Sequence, residues 1–203
     1  MAHGETRVRL YTIGHSNHTL EHFLGLLRAQ GIDTLVDVRT RPFSGYSPHF
    51  SRNGLKAGIE AAGLRYVFLG RELGGQPEGD HFYDENGHAL YWKIAETGAF
   101  QKGLERLVEE ARGRRTAIMC SEEDPSMCHR RLLITKVLFD RRVGVAHIRG
   151  DGTVITEAEV RAQEEAARDQ QLELFGGEVS ERESWRSIQS GLQKSPPNSS
   201  LGF

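Results

Sequence analysis

Five short apolar runs separated by helix-like stretches constrain this chain more than any other feature. They are VRLYTI (8–13), TLVDV (34–38), LRYVFL (64–69), TAIMC (116–120) and VAHI (145–148). Runs of this length and character read as strands, and the apolar ones as buried strands. Between the first two lies TLEHFLGLLRAQG. Its Leu20, Phe23, Leu24 and Leu27 recur at i, i+3, i+4 and i+7, and Gly31 follows. That is an amphipathic helix with a glycine stop. GLKAGIEAAG, ending at Gly63, predicts a second helix, and Ala89–Glu96 and Ala99–Arg112 predict two more. MCHRRLLITKVLFD predicts another, with Leu132, Leu133, Lys136, Val137 and Asp140 on its inward face. Strands alternating with crossover helices give an α/β fold: a single domain with a mainly parallel sheet of about five strands and helices on both faces. A chain of 203 residues suits one domain with a sizeable core.

The α/β domain is expected over 8–155. TEAE at Thr156–Glu159 fits a capping box and opens a polar helical extension over 156–175. Residues 176–203 end in QKSPPNSSLGF, the composition of a disordered tail. Charge divides at the same place. From Glu157 onward nine acidic residues face five basic ones, which leaves 19 acidic and 21 basic in the body. The net charge of −2 gives no strong field toward nucleic acid or a membrane surface. No run approaches the roughly 20 apolar residues of a membrane helix. The start MAHGETRVRL lacks an apolar signal region, and the chain has two cysteines. A reduced, cytoplasmic protein is therefore expected.

In an open α/β sheet, ligands bind at the carboxyl ends of the strands. Three loops should meet there: GHSNHT after the first strand, RTRPFS after the second and CSEEDPSMCHR after the fourth. Gly14 allows close backbone approach, and His15 suits acid–base work, metal ligation or hydrogen bonding. Ser16 and Asn17 follow, and Asn17 or Thr19 equally suits the helix cap. Asp37, at the end of a buried strand, needs a partner. Arg39 fits an anion clamp or a structural ion pair with Asp37. Pro42 and Pro48 stiffen the loop. The glycine-rich stretch GRELGGQPEGDHFYDENGH has no phosphate-binding pattern, so it reads as a lid or a surface excursion.

The cysteines admit several readings. A structural disulfide suits a reduced compartment poorly, although a reversible one remains open. Structural zinc favours paired short spacings, whereas this chain has a single C-x₇-C. His129, adjacent to Cys128, is poorly placed to share a metal with it, so His15 and Glu122 would have to complete such a site. No metal or cofactor is expected. Cys128, at a helix start beside His129 and Arg130, suits a thiolate of lowered pKa. Cys120 sits where many α/β nucleophiles sit, but Glu122, Glu123 and Asp124 would raise its pKa. Its plain reading is a small buried hydrophobe. Arg130 and Arg131 read as anion binders or as surface charges.

TIGHSN (12–17), DVRTRPFS (37–44) and C-x-E-x₅-C-H-R (120–130) together resemble the hallmark blocks of the domain-of-unknown-function family 488, over about Leu10 to Ile148. The resemblance falls on Gly14, His15 and Ser16, then Asp37, Arg39, Pro42 and Ser44, then Cys120, Glu122, Cys128, His129 and Arg130. It implies a fold and a shared site, and it names no reaction. The expected function is an enzyme for an anionic small-molecule or nucleotide-like substrate. Gly14, Ser16, Asp37, Arg39, Ser44 and Arg130 would bind it. His15, Cys120, Glu122, Cys128 and His129 would be catalytic, with a cysteine as nucleophile or redox centre. The alternative is a nucleic-acid-binding or repair-associated protein, since FSGYSPHFSR interleaves Phe43, Tyr46 and Phe50 with a basic residue. A third reading is an adaptor that meets its partner through the acidic tail.

Overall fold

The computed structural model describes residues 8–45, 47–175 and 185–190. In chain order the elements are β1 (Val8–Gly14), α1 (Leu20–Ala29), β2 (Thr34–Asp37), α2 (Arg52–Ala61), β3 (Arg65–Phe68) and a short α3 (Gly70–Leu73). β4 (His88–Leu90), α4 (Tyr91–Ala95), α5 (Gly98–Glu110) and β5 (Thr116–Cys120) follow. A π-helical turn (Arg130–Thr135) runs into α6 (Lys136–Asp140), then β6 (Gly144–Ile148), β7 (Val154–Thr156), α7 (Glu157–Phe175) and β8 (Arg186–Ser190).

The fold is the expected α/β single domain. The sheet order is β3-β2-β5-β1-β6-β7. Its first five strands are parallel and are the five apolar runs. The sixth, β7, is antiparallel and follows the turn after β6. Side chains alternate between the two faces with the period of two that strands impose. Leu10, Val36, Ile118 and Val145 pack on one face with Phe100, Leu104 and Leu107 of α5 and Leu138 of α6. Ile13, Leu35, Ala117 and Ile148 pack on the other with Phe23 and Leu27 of α1 and Leu55 and Ile59 of α2. Thr19, not Asn17, caps α1: its hydroxyl accepts from the His22 N–H at 3.2 Å.

What positions the site is β5, inserted between β2 and β1. Gly14 lies opposite Cys120 and Asp37 opposite Met119, so the three strands end side by side. The three polar loops therefore leave from one edge.

Four local expectations change. The helix expected over 89–96 begins as strand β4, because residues 88–90 pair with β8. The face expected on the helix after Cys128 is rotated. The π turn adds a residue to the turn, so Leu133, Ile134 and Leu138 are buried and Asp140 is exposed. The loop expected over 70–88 contains α3. Finally, Arg186–Ser190, within the stretch expected as a disordered tail, form strand β8. Trp185 Nε1 donates to the Leu132 carbonyl at 2.6 Å and Arg186 pairs with Asp84 at 2.6 Å. Residues 176–184 and 191–203 of that tail lie outside the described residues.

The capping box forms as expected. The Glu159 N–H donates to Thr156 Oγ1 at 3.2 Å, and the Thr156 N–H to Glu159 Oε2 at 2.7 Å. The polar helix is also fastened to the domain. Its buried Glu157 accepts from Arg131 and His147, each at 2.9 Å. Among the described residues no helix is long and apolar enough to cross a membrane.

Candidate functional site

Gly14 is where the first and third loops touch. Beyond it, the His15 N–H donates to the Cys120 carbonyl at 3.0 Å and the Ser16 N–H to the Ser121 carbonyl at 2.8 Å. Arg130 holds the same loop from behind. It is fully buried, and its guanidinium donates to Thr12 Oγ1 at 3.3 Å, to the Glu123 carbonyl at 2.6 Å and to the Glu122 carbonyl. Arg130 thus spends its donors on Thr12 and on two backbone carbonyls and does not line the cavity described below. Arg131 is likewise turned away, onto Glu157 and Glu164.

The second loop contributes a buried ion pair. Asp37 Oδ1 accepts from Arg39 Nε at 2.9 Å, and Oδ2 from Nη2 at 2.7 Å. The Arg39 N–H adds a third bond at 3.1 Å and the Tyr66 hydroxyl a fourth at 2.8 Å. Burial and the Asp37 carboxylate push the Tyr66 phenol up, so Tyr66 stays a donor. The remaining Arg39 donor, Nη1, reaches His15 Nε2 at 3.1 Å.

His15 Nδ1 lies 2.8 Å from the Ser16 carbonyl, which can only accept, so Nδ1 carries the proton and Nε2 accepts from Arg39. The ring stacks on Phe50 with centroids 4.4 Å apart. Burial, and then the neighbouring Arg39 charge, push its pKa down to about 4. His15 is thus neutral in the folded protein at pH 7. As pH falls below 6.5 the unfolded chain takes up this proton first. Stability due to neutral His15 is therefore complete above pH 6.5 and is lost as pH falls toward about 4. The loss should reach up to about 3 kcal/mol. Urea unfolding across that range should show a shallower pH slope for His15→Gln, and equal slopes would remove His15 as the cause.

The third loop brings both cysteines and His129 together. Both thiols are free and buried. Cys120 Sγ lies 3.5 Å and Cys128 Sγ 3.8 Å from His129 Nδ1. His129 Nε2 lies 3.0 Å from the Val38 carbonyl at the end of β2. Being next to Cys128 does not keep His129 from sharing a centre with it. Cys128 is extended (φ −127°, ψ 141°) and His129 already helical (φ −58°, ψ −24°), and the bend between them brings both side chains together. Two of the three acids expected to raise the Cys120 pKa point elsewhere. Glu123 is paired with Arg149 at 2.8 Å, and Asp124 caps the following turn through the Ser126 N–H at 2.9 Å. Cys120 is pushed up instead by its hydrogen bond with Cys128 and by burial. Burial opposes ionisation of Cys128 too. Its hydrogen bonds with Cys120 and His129, and the charges of His129 and Arg130, outweigh that and lower its pKa.

These three residues lie at the base of a cavity of about 180 Å³. Arg39, Arg41 and Tyr91 line it, Glu122 and Met127 stand at its exposed rim, and Ser187–Gln189 of β8 close one side. Of the residues assigned to catalysis from sequence, Cys120, Glu122, Cys128 and His129 line the cavity, while His15 stands behind Arg39. Of those assigned to binding, Arg39 alone lines it. Gly14 packs against the Glu122 backbone. The exposed Ser16 hydroxyl faces Asn17 at 3.4 Å. The Ser44 hydroxyl accepts from the Ser47 N–H at 3.1 Å. Arg41 went unassigned. Its place in the same strand-end loop as Arg39 was the available signal. Of the aromatics that suggested nucleic-acid stacking, Phe50 is buried against His15, Phe43 is 79% exposed and Tyr46 lies outside the described residues.

A family model described as "Domain of unknown function DUF488" matches residues 19–137, more than half of the chain. The chain belongs to that family. The DUF488 span includes the DVRTRPFS and Cys120–Arg130 blocks and begins just after TIGHSN. It ends before β6, so β7, α7 and β8 lie outside it. No curated protein and no solved structure matches the chain.

Proposed function

We propose that this DUF488 protein is an enzyme for a small anionic substrate, with its reaction centre at Cys120, Cys128 and His129 and with Arg41 as the anchor for the substrate's charge. One observation carries the reading. A single cavity has two thiols and an imidazole at its base and, on its wall, an arginine with no carboxylate partner among the described residues. Arg39 cannot act as that anchor as freely, because Asp37 and His15 already engage its guanidinium. It keeps one wall rigid instead. Glu122, exposed at the rim, is the group placed to exchange protons with solvent. Preorganised donors around a desolvated centre are what anionic chemistry requires of a site.

The test needs no knowledge of the substrate. Iodoacetate and iodoacetamide alkylate thiols alike and differ by a carboxylate. On reduced protein kept in chelator, iodoacetate should react faster than iodoacetamide, after each rate is divided by its rate with free cysteine. Arg41→Gln should cut that preference about tenfold, as the loss of one charge-assisted hydrogen bond of about 1.5 kcal/mol would. Equal normalised rates in the wild type, or a preference that Arg41→Gln leaves unchanged, would remove the support for an anionic substrate.

A further inference from the structure

We propose that Cys120, Cys128 and His129 are three ligands of a zinc ion whose fourth position opens into the cavity. The inference rests on the reading of this cavity as the reaction centre and says what the centre is. Three observations carry it, and the first is spacing. Zinc–sulfur bonds of about 2.3 Å and zinc–nitrogen bonds of about 2.0 Å at tetrahedral angles put sulfur and nitrogen about 3.5 Å apart. The two sulfurs stand 3.5 and 3.8 Å from His129 Nδ1, and all three ligand atoms lie within 4.8 Å of one another.

The second is the tautomer. The Val38 carbonyl can only accept, so His129 Nε2 carries a proton and Nδ1 is the ring nitrogen that faces the sulfurs. One proton can link that nitrogen to a single sulfur, yet two sulfurs converge on it. A metal ion at the shared point satisfies all three atoms. A ligand histidine whose other nitrogen donates to a backbone carbonyl is also the usual outer support of a zinc site.

The third is access. Among the described residues no fourth histidine, cysteine or carboxylate joins the group. The cavity borders all three ligands. Three protein ligands with one open position is the pattern of catalytic rather than structural zinc. Charge fits as well, since two thiolates and Zn²⁺ sum to zero, which suits a buried place. When bound, the ion would supply Lewis acidity toward a substrate oxygen or a bound water.

The full-length protein, reduced and stripped with chelator, should take up one Zn²⁺ per chain by elemental analysis after desalting. Co²⁺ in its place should give tetrahedral visible bands and thiolate-to-cobalt charge-transfer bands, both erased by Zn²⁺. Zinc should also protect both thiols from iodoacetamide, a reading made on the wild type alone. Cys120→Ser, Cys128→Ser and His129→Asn should each weaken binding more than the ~100-fold upper range for loss of an outer-shell partner. Substoichiometric zinc together with no charge-transfer bands, in folded and reduced wild type, would overturn the proposal. If that occurs while iodoacetate keeps its Arg41-dependent advantage, the zinc falls and the anionic reaction centre stands. If zinc binds as described and Arg41→Gln changes nothing, the zinc stands and the anionic-substrate reading falls.

Discussion

Asp37→Asn is expected to cost about 3–5 kcal/mol, the range for breaking a buried ion pair from one side. Asp37 is fully buried and Arg39 is 3% exposed, so water cannot replace the lost charge. The carboxylate accepts four hydrogen bonds, two of them from the guanidinium. An asparagine has one oxygen to offer. Its amide would place N–H groups against Arg39 or Tyr66, both donors themselves. His15 cannot compensate, because its acceptor nitrogen already takes Arg39 Nη1. Urea unfolding measures the cost. The double variant Asp37→Asn/Arg39→Met should recover much of it, because the damage comes from the stranded cation. A single-variant cost below about 1 kcal/mol would mean that the pair is compensated by solvent, and the rigid wall assigned to Arg39 would lose its basis.

The same pair shows what a sequence can and cannot convey. Both partners and their need of one another were legible in DVRTRP, as was the choice between ion pair and anion clamp. That Arg39 would turn onto Asp37 while Arg41 faced the cavity was not, because a backbone bend decides it. The five parallel strands were legible from run length and flanking helical periodicity. Their order was not: the insertion of β5 between β2 and β1 is a long-range pairing with no local trace, yet it is what brings Cys120 beside Gly14. The expectation that Cys128 and His129 could not share a centre came from treating them as neighbours in one regular element. An extended residue followed by a helical one changes that geometry. Arg130 read as an anion binder or a surface charge, whereas it opens the π turn fully buried. β8 carried almost no signal. Trp185 just before it and Ile188 within it are large apolar residues in a polar stretch, and the partner it needs, β4, lies about a hundred residues earlier.

Gly14→Ala should do comparable damage through sterics alone. A Cβ at Gly14 would lie 1.8 Å from the Glu122 carbonyl oxygen and 2.8 Å from Glu123 Cα. Both are backbone, and neither can yield by rotating a side chain. The loop they belong to is held by Arg130 and by the His15 and Ser16 N–H groups. The methyl group must therefore lift the whole segment, which carries Cys120 at one end and Cys128 at the other. Overpacking commonly costs about 1–3 kcal/mol, and with rigid partners on every side about 3 kcal/mol or more is expected here. Gly25→Ala is the matched control. Gly25 is exposed inside α1, and a Cβ there meets nothing within 4 Å. That change should stabilise by about 0.5–1 kcal/mol through helix propensity. Chemical denaturation of both variants reads the contrast, and zinc titration of Gly14→Ala reads the site. If the alanine at position 14 is tolerated with wild-type stability and zinc affinity, the loop can give way, and the close meeting of the first and third loops is not what assembles the three ligands. If stability and zinc affinity fall together, the glycine of TIGHSN matters for what it lacks: a side chain between two loops that must touch before Cys120, Cys128 and His129 can share a centre.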